Sequence, residues 1–219
     1  NLLQPLRDAL HGSSHDLFIV LHMMGSHLQY DMRYPPSFLH FRPASSDADP
    51  RVLPGEHIRN SYDNTILYTD HVLTSIIGIL HDSDAVTALW YSSDHGETLP
   101  TPICNISGHG IGSRSDYEIP VMFWYSDAYA AKYPQRVATL RANADKPAMS
   151  ADTFESMVDM AGVSFPGHDP TWSLFSPHWH YRTRIVSSRW RADYDKAEFG
   201  KHCPFVFPAP LDSSSSNST

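Results

Sequence analysis

The segment 85–97 ends an apolar run on two adjacent side chains that can bind a metal ion. Residues 86–91 have the β-branched and aromatic composition of a buried strand. The run leads into Asp94 and His95, and Gly96 then allows the chain to turn away. A carboxylate beside an imidazole, with no cysteine nearby, is typical of a catalytic zinc or manganese site rather than of structural zinc. Because ligands gather at the carboxyl ends of strands in open α/β sheets, this pair is the first candidate site.

Two further histidines follow or precede apolar runs in a similar way. Residues 17–23 predict another buried strand, and His27 follows it in a Gly-Ser-His turn. His109 lies between glycines in a loop that precedes a third predicted strand at 119–125. Each histidine alone is better explained by chance, since the chain has 14 of them. Their recurrence at strand ends favours a shared site.

The remaining pattern predicts the elements that must hold these loops. Apolar residues three and four apart predict a long helix at 56–80, with Ile66 on its buried face and Asp63 and Asn64 on a solvated flank. Alternating helices and apolar strands indicate an α/β sandwich with a largely parallel sheet that is covered on both faces. Shorter elements are predicted as helices at 2–10, 127–132, 135–142 and from a capping box at 152–155 to Gly162, and as an edge strand at 181–188.

Composition argues against several classes of function. The net charge of −8 argues against nucleic acid as a partner, because phosphates require a basic surface. The chain has no run of about eighteen apolar residues that could span a membrane, and residues 1–10 lack the apolar core of a signal sequence. Residues 1–211 are expected to form one domain, and the Ser-rich segment 212–219 is expected to be a disordered tail.

An ordered series of motifs resembles a known family. The series comprises IVLHMMGSH, SYDNTILYTDHVL, YSSDHGE, the GHG loop and IPVMFW. Together these motifs strongly resemble the periplasmic catalytic domain of bacterial phosphoethanolamine transferases, within the alkaline phosphatase and sulfatase superfamily. The resemblance extends from about residue 2 to about residue 176. It implies a three-layer α/β/α sandwich with a mostly parallel central sheet, in the periplasmic domain of an inner-membrane protein.

The resemblance implies a role for each candidate residue. Asp94 and His95 would bind the catalytic Zn²⁺, with Mn²⁺ as an alternative ion. His27 and His109 would be catalytic residues that contact the substrate phosphate or hold a second zinc. Glu97 is expected to orient the His95 ring without binding the metal itself, or else to be a solvated loop carboxylate. The family's nucleophilic threonine and one acidic ligand have no match, so the chain resembles the C-terminal portion of the domain and is expected to be inactive alone.

The implied reaction transfers phosphoethanolamine from phosphatidylethanolamine to lipid A, a core sugar or a periplasmic glucan. It would pass through a phospho-threonine intermediate whose threonine is not in this chain. We expect a monomer that attaches to the membrane through helices outside this sequence. Two alternatives remain open: another hydrolase or phosphoglycerol transferase of the superfamily, and a binding module without activity.

Cysteines and a second group of histidines offer lesser candidates. Cys104 and Cys203 permit one disulfide if their Cα atoms lie within about 7 Å. Cys104 as a metal ligand is the alternative, which the absence of paired-cysteine spacing disfavours. His168, His178 and His180 suggest a second metal site, but a solvent-facing role on an exposed strand is favoured.

Overall fold

The chain folds into helices and short strands that form two compact units. The computed structural model describes residues 2–49, 53–187 and 191–209, so the predicted tail at 212–219 lies outside the described residues. The single domain expected over 1–211 stays a prediction. The first unit comprises Asn1–Tyr91, Leu99–Asn105 and Met122–Pro134, and the second comprises Ser92–Thr98, Ile106–Val121 and Gln135–Thr219.

The helices follow the sequence prediction closely. The predicted long helix at 56–80 is confirmed as α2, and a left-handed Gly162 ends α6 at a φ of 72°, as predicted. No helix in the described ranges is both long and apolar enough to cross a membrane. The α-helices are α1 (Leu3–Gly12), α2 (Gly55–His81), α3 (Arg114–Tyr117), α4 (Asp127–Lys132), α5 (Pro134–Asn143) and α6 (Thr153–Ala161).

The strands are short and pair two by two. Among the described residues they are β1 (Ala88–Ser92) with β2 (Val121–Tyr125), β3 (Ile185–Ser187) with β4 (Arg191–Asp193), and β5 (Glu198–Phe199) with β6 (Val206–Phe207). The β3–β4 and β5–β6 pairs are antiparallel. Helices and strands together confirm the α/β class; β2 and β3 lie within the predicted strand regions, and β1 overlaps the one predicted at 86–91. The larger parallel sheet that we expected is not formed by the described residues alone.

The core of the first unit joins α1 to the C-terminal half of α2. Leu6 of α1 packs with Ile76 and Leu80 of α2, and all three are at most 9% exposed. Leu89 of β1 and Trp124 of β2 pack against this cluster. Removal of these side chains from water is the main source of stability in this unit.

The middle of α2 is buried through polar contacts, which corrects the predicted solvated flank at Asn64. Asn64 is fully buried, and its Oδ1 accepts the N–H groups of His40 and Phe41 at 2.9 and 2.8 Å. Its Nδ2 donates to the Phe41 carbonyl at 3.0 Å. Asp63 is exposed as predicted, whereas Ile66, predicted to be buried, is 46% exposed. The prediction failed because this part of α2 packs on a loop whose backbone needs hydrogen-bond partners.

The predicted strand at 17–23 is absent from the structure. Residues 17–23 are in no helix or strand, and Leu17, Phe18 and Val20 are 47%, 67% and 75% exposed. The prediction rested on β-branched composition, but a strand also requires a neighbouring backbone with which to exchange hydrogen bonds. Within the described parts of the chain, no strand pairs with this segment.

Hydrogen bonds, rather than the predicted capping box, hold the start of α6. The Asp152 carboxylate caps no α6 amide; it accepts the Met149 N–H at 2.9 Å and the Trp179 indole N–H at 3.1 Å. Trp179 is 7% exposed, and residues 178–180 lie in a loop before the predicted edge strand at 181–188 rather than on an exposed strand. His178 and His180 are exposed, as the favoured alternative required.

His168 lies between two carboxylates of α6. Its Nδ1 is 2.5 Å from Glu155 Oε2, and its Nε2 is 3.1 Å from Asp159 Oδ1. The hydrogen bond to Glu155 raises the pKa of His168 above its ordinary value, although burial lowers it, and the charge of Asp159 raises it further. Because both ring nitrogens are engaged, His168 forms a double ion pair when protonated.

Replacing Asn64 with alanine should lower the free energy of unfolding by about 2–4 kcal/mol, because buried backbone donors and an acceptor lose their partners. Asp63→Ala, at the neighbouring exposed position, should change it by less than about 0.5 kcal/mol. Denaturant unfolding followed by circular dichroism measures both. Equal effects of the two substitutions would contradict the anchoring role of Asn64.

His168 predicts a specific pH dependence of stability. A histidine whose pKa is raised by folding stabilises the fold fully below its unfolded pKa of about 6.5, and this stabilisation is lost as pH rises through the folded value. His168→Gln should therefore reduce the free energy of unfolding more at about pH 6 than at about pH 9. His178→Gln, at an exposed position, is the control. The same difference at both pH values for His168→Gln would refute the ion-pair assignment.

Candidate metal centre

The turn after β1 requires a glycine. Gly96 donates its N–H to the Asp116 carbonyl at 2.9 Å, and a Cβ on Gly96 would lie 1.9 Å from the Ser115 carbonyl oxygen. No other residue fits so close an approach between two backbones. The glycine after the Asp-His pair therefore holds Asp94 and His95 against the segment that contains α3.

Asp94 and His95 present donor atoms that suit one cation. Asp94 Oδ1 accepts the His95 N–H at 3.0 Å, and Asp94 Oδ2 is 3.9 Å from His95 Nε2. This distance is too long for a hydrogen bond, whereas two ligands with bonds of about 2.0–2.2 Å to one zinc ion can be about 4 Å apart. His95 Nδ1 lies 3.0 Å from the Gly96 carbonyl oxygen. As that oxygen only accepts, Nδ1 donates, and in the neutral ring the lone pair is on Nε2.

Glu97 contacts His109 rather than His95, the residue it was expected to orient. Its side chain is 5% exposed, so it is not a solvated loop carboxylate, and its Oε1 is 2.8 Å from His109 Nδ1. An ionised carboxylate only accepts, so Nδ1 carries a proton, and in the neutral imidazole the lone pair is on Nε2 of His109. The ring centroids of His109 and His95 are 4.2 Å apart. Both imidazoles thus offer the same nitrogen to a ligand.

Backbone pairing explains why Glu97 meets a residue twelve positions away. Thr98 and Gly108 exchange both backbone hydrogen bonds, at 2.8 and 3.0 Å. Glu97 and His109 flank this pair, so their side chains are brought together. Sequence spacing alone carries no signal for this contact.

The donor set fits zinc. His95, Glu97 and His109 each offer one ligand atom, and these atoms lie within 4.8 Å of one another, the one such group in the part of the chain that the structure describes. Imidazole nitrogens and carboxylate oxygens are the ligands of catalytic zinc sites. Asp94 adds a further oxygen beside His95, although 89% of its side chain is exposed. Zinc therefore fits the residues present, and all four were predicted from the sequence as site residues, with Asp94 and His95 as the ligands of the catalytic ion.

His27 belongs to the first unit, where α2 supports its turn. The hydroxyl groups of Thr65 in α2 and Ser26 are hydrogen-bonded at 2.6 Å. Arg33 donates to the carbonyls of His27 and Leu28 at 3.4 and 3.1 Å. The Thr of the SYDNT motif thus anchors the Gly-Ser-His turn, a role that periodicity did not reveal. The catalytic role of His27 stays a prediction.

The cysteines are not metal ligands. Cys104 and Cys203 are both disulfide-bonded, and neither is free. Metal binding requires a thiolate, which a disulfide sulfur is not. The alternative that placed Cys104 in a metal site is therefore excluded.

Comparison with known proteins establishes the family. The family model described as Sulfatase matches residues 1–163. The chain belongs to the sulfatase family. Phosphoethanolamine transferase EptC of Escherichia coli (strain K12) is 31% identical over 209 residues, which are 91% of this chain and 36% of that protein. The Kdo(2)-lipid A phosphoethanolamine 7''-transferase of the same strain is 31% identical over 158 residues, or 68% of this chain and 27% of that protein.

A solved structure shares the fold. The crystal structure of the C-terminal periplasmic domain of EcEptC from Escherichia coli, in complex with Zn, superimposes with a TM-score of 0.78 at 30% identity. The match covers 91% of this chain and 57% of that one. It confirms the resemblance and the sulfatase-like fold class that the motifs implied. The chain spans about a third of the length of the curated relatives that it matches.

The metal centre can be tested by Zn²⁺ titration of the purified chain, using isothermal calorimetry or competition with a chelating dye. His95→Ala removes a direct ligand and should weaken Zn²⁺ binding by more than about 100-fold. Glu97→Ala removes the residue that orients His109 and should weaken Zn²⁺ binding about 10–100-fold. His180→Ala, exposed in the same unit, is the matched control. Wild-type affinity in His95→Ala, or an equal loss in His180→Ala, would contradict the assignment.

Proposed function

We propose that this chain is part of the catalytic domain of a zinc-dependent phosphoethanolamine transferase. The observation that carries the proposal is the grouping of His95, Glu97 and His109 beside Asp94, directly after a strand of a sulfatase-family fold. Relatives across most of this chain are named phosphoethanolamine transferases. Asp94 and His95 hold the zinc in this proposal.

Residues of this chain would bind the substrate phosphate and transfer a proton during the reaction. When bound, zinc supplies positive charge that polarises a phosphoryl oxygen and lowers the pKa of a hydroxyl nucleophile. His109, with Nδ1 held by Glu97, presents Nε2 to a phosphate oxygen or to the leaving alkoxide, to which the protonated ring would donate. Glu97 keeps the imidazole in one tautomer. His27 contacts the substrate phosphate, a role supported by its position in the Gly-Ser-His motif.

The donor proposed is phosphatidylethanolamine, and the acceptor is lipid A, a core sugar or a periplasmic glucan. The name of the Kdo(2)-lipid A relative supports a lipid A type of acceptor. A phospho-threonine intermediate would form on a threonine outside this chain. Homology to solved periplasmic domains supports a periplasmic location at the inner membrane, with attachment through segments outside this sequence.

Donor specificity tests the reaction class. The longest natural polypeptide that contains this sequence is assayed in membranes with headgroup-labelled phosphatidylethanolamine, phosphatidylglycerol and an aryl sulfate. Label transferred from phosphatidylethanolamine alone supports the proposal. Transfer from phosphatidylglycerol, or sulfate release, would assign another reaction of the superfamily. Absence of turnover with every donor, in protein that binds zinc, would indicate a binding module.

In the same assay, Asp94→Ala and His95→Ala should each reduce transfer at least about 100-fold, because either change removes a group that holds the ion. His178→Ala, exposed in the second unit, should leave transfer unchanged. Transfer is measured by mass spectrometry as the gain of one phosphoethanolamine group on the acceptor. Near-normal turnover of both site variants would refute the metal assignment, and a large loss in His178→Ala would implicate the 178–180 segment instead.

A further inference from the structure

We propose that Asp116 is a positioning residue that holds the His109 loop in the shape that the metal centre needs. The proposal rests on the candidate metal centre and deepens the function proposed for it. Asp116 lies in α3, is only 6% exposed, and ligates nothing in the candidate site. Its carboxylate instead bonds the two backbone segments that carry Glu97 and His109.

One oxygen of Asp116 binds the His109 loop directly. Oδ2 accepts the backbone N–H groups of Ile111 and Gly112, both at 2.8 Å, and that of Ser113 at 3.3 Å. Three consecutive amides therefore converge on a single carboxylate oxygen. Charge-assisted hydrogen bonds of this kind are about twice as strong as neutral ones.

The other oxygen of Asp116 binds the neighbour of Glu97. Oδ1 accepts the Thr98 hydroxyl at 2.8 Å, and the Thr98 and Ser113 hydroxyl oxygens are 2.5 Å apart. Thr98 also pairs with Gly108 through the backbone. Both hydrogen bonds of that pair and the contacts of Asp116 thus join the same two segments, the one that carries Glu97 and the one that carries His109.

The loop needs such an anchor because its own sequence does not restrain it. Gly108, Gly110 and Gly112 flank His109 and Ile111, and all three have a positive φ, of 118°, 69° and 88°. Glycines of this kind lose the most conformational freedom on folding, and they provide no side chain to pack. Without Asp116, three amides would lose their acceptor and the loop would rearrange. The 2.8 Å contact between Glu97 and His109 would then be lost with it.

The test compares three variants of the chain. Asp116→Ala removes both acceptors. In Asp116→Asn, the amide oxygen can accept from the loop, and the amide nitrogen can donate to Thr98. This variant should therefore keep the loop mostly in place, through weaker neutral hydrogen bonds. Asp152→Ala is the matched control: this carboxylate is 3% exposed and also accepts a backbone N–H, but it supports a segment without site residues.

The first readout requires no metal. In the metal-free chain, hydrogen exchange of the Ile111 and Gly112 amides should be fastest in Asp116→Ala, intermediate in Asp116→Asn, and unchanged in Asp152→Ala. The ¹⁵N signals of the His109 ring should lose the pattern of a single Nδ1–H tautomer in Asp116→Ala only. If Asp116→Ala does not fold, the test is whether the Ile111 and Gly112 amides exchange faster in Asp116→Asn than in the wild-type chain. Wild-type exchange in the folded Asp116 variants, or an equal change in Asp152→Ala, would overturn the proposal.

The second readout is zinc affinity. Asp116→Ala should weaken Zn²⁺ binding about 10–100-fold, Asp116→Asn by less, and Asp152→Ala not at all despite its loss of stability. Unchanged affinity in a folded Asp116→Ala would overturn the coupling to the metal centre. If the wild-type chain binds no zinc while the exchange and His109 signals behave as expected, Asp116 keeps its positioning role and the proposed function fails instead.

Discussion

A buried carboxylate and an imidazole form the centre of the candidate site: Glu97, 5% exposed at its side chain, accepts the His109 Nδ1–H at 2.8 Å. A carboxylate so far removed from water is unfavourable unless it is hydrogen-bonded, so the fold must bring a donor to it. The pairing of Thr98 with Gly108 does so. The burial of Glu97 and the orientation of His109 are therefore two consequences of one interaction.

The contacts of the two imidazole rings explain why the candidate site is arranged to bind a cation. The Nδ1 atoms of His95 and His109 are each engaged, one by the Gly96 carbonyl and the other by Glu97. Both rings consequently expose Nε2, and neither has to change tautomer when a ligand arrives. A set of donors arranged in advance loses less free energy to reorganisation on binding.

Loops in this chain are held mainly by buried polar side chains. Asn64 holds the loop at His40 and Phe41, Asp116 holds the loop of His109, and Asp152 holds the chain before α6. Each anchor satisfies backbone groups that no regular helix or sheet would satisfy. Apolar packing joins α1 to α2, but the shapes of the chemically important loops depend on these hydrogen bonds.

The sequence by itself determined the features that arise within a single segment. Apolar periodicity located α2, β-branched composition located β1 and β2, and ordered motifs indicated the family and the Asp94–His95 pair. Composition does not show which backbone a segment will pair with, and it predicted a strand at 17–23, a segment that pairs with no strand among the described residues. Only the tertiary structure decided that Asn64 is buried and that Glu97 bonds His109. Burial and hydrogen bonding between distant residues depend on which surfaces meet, and local pattern does not encode that.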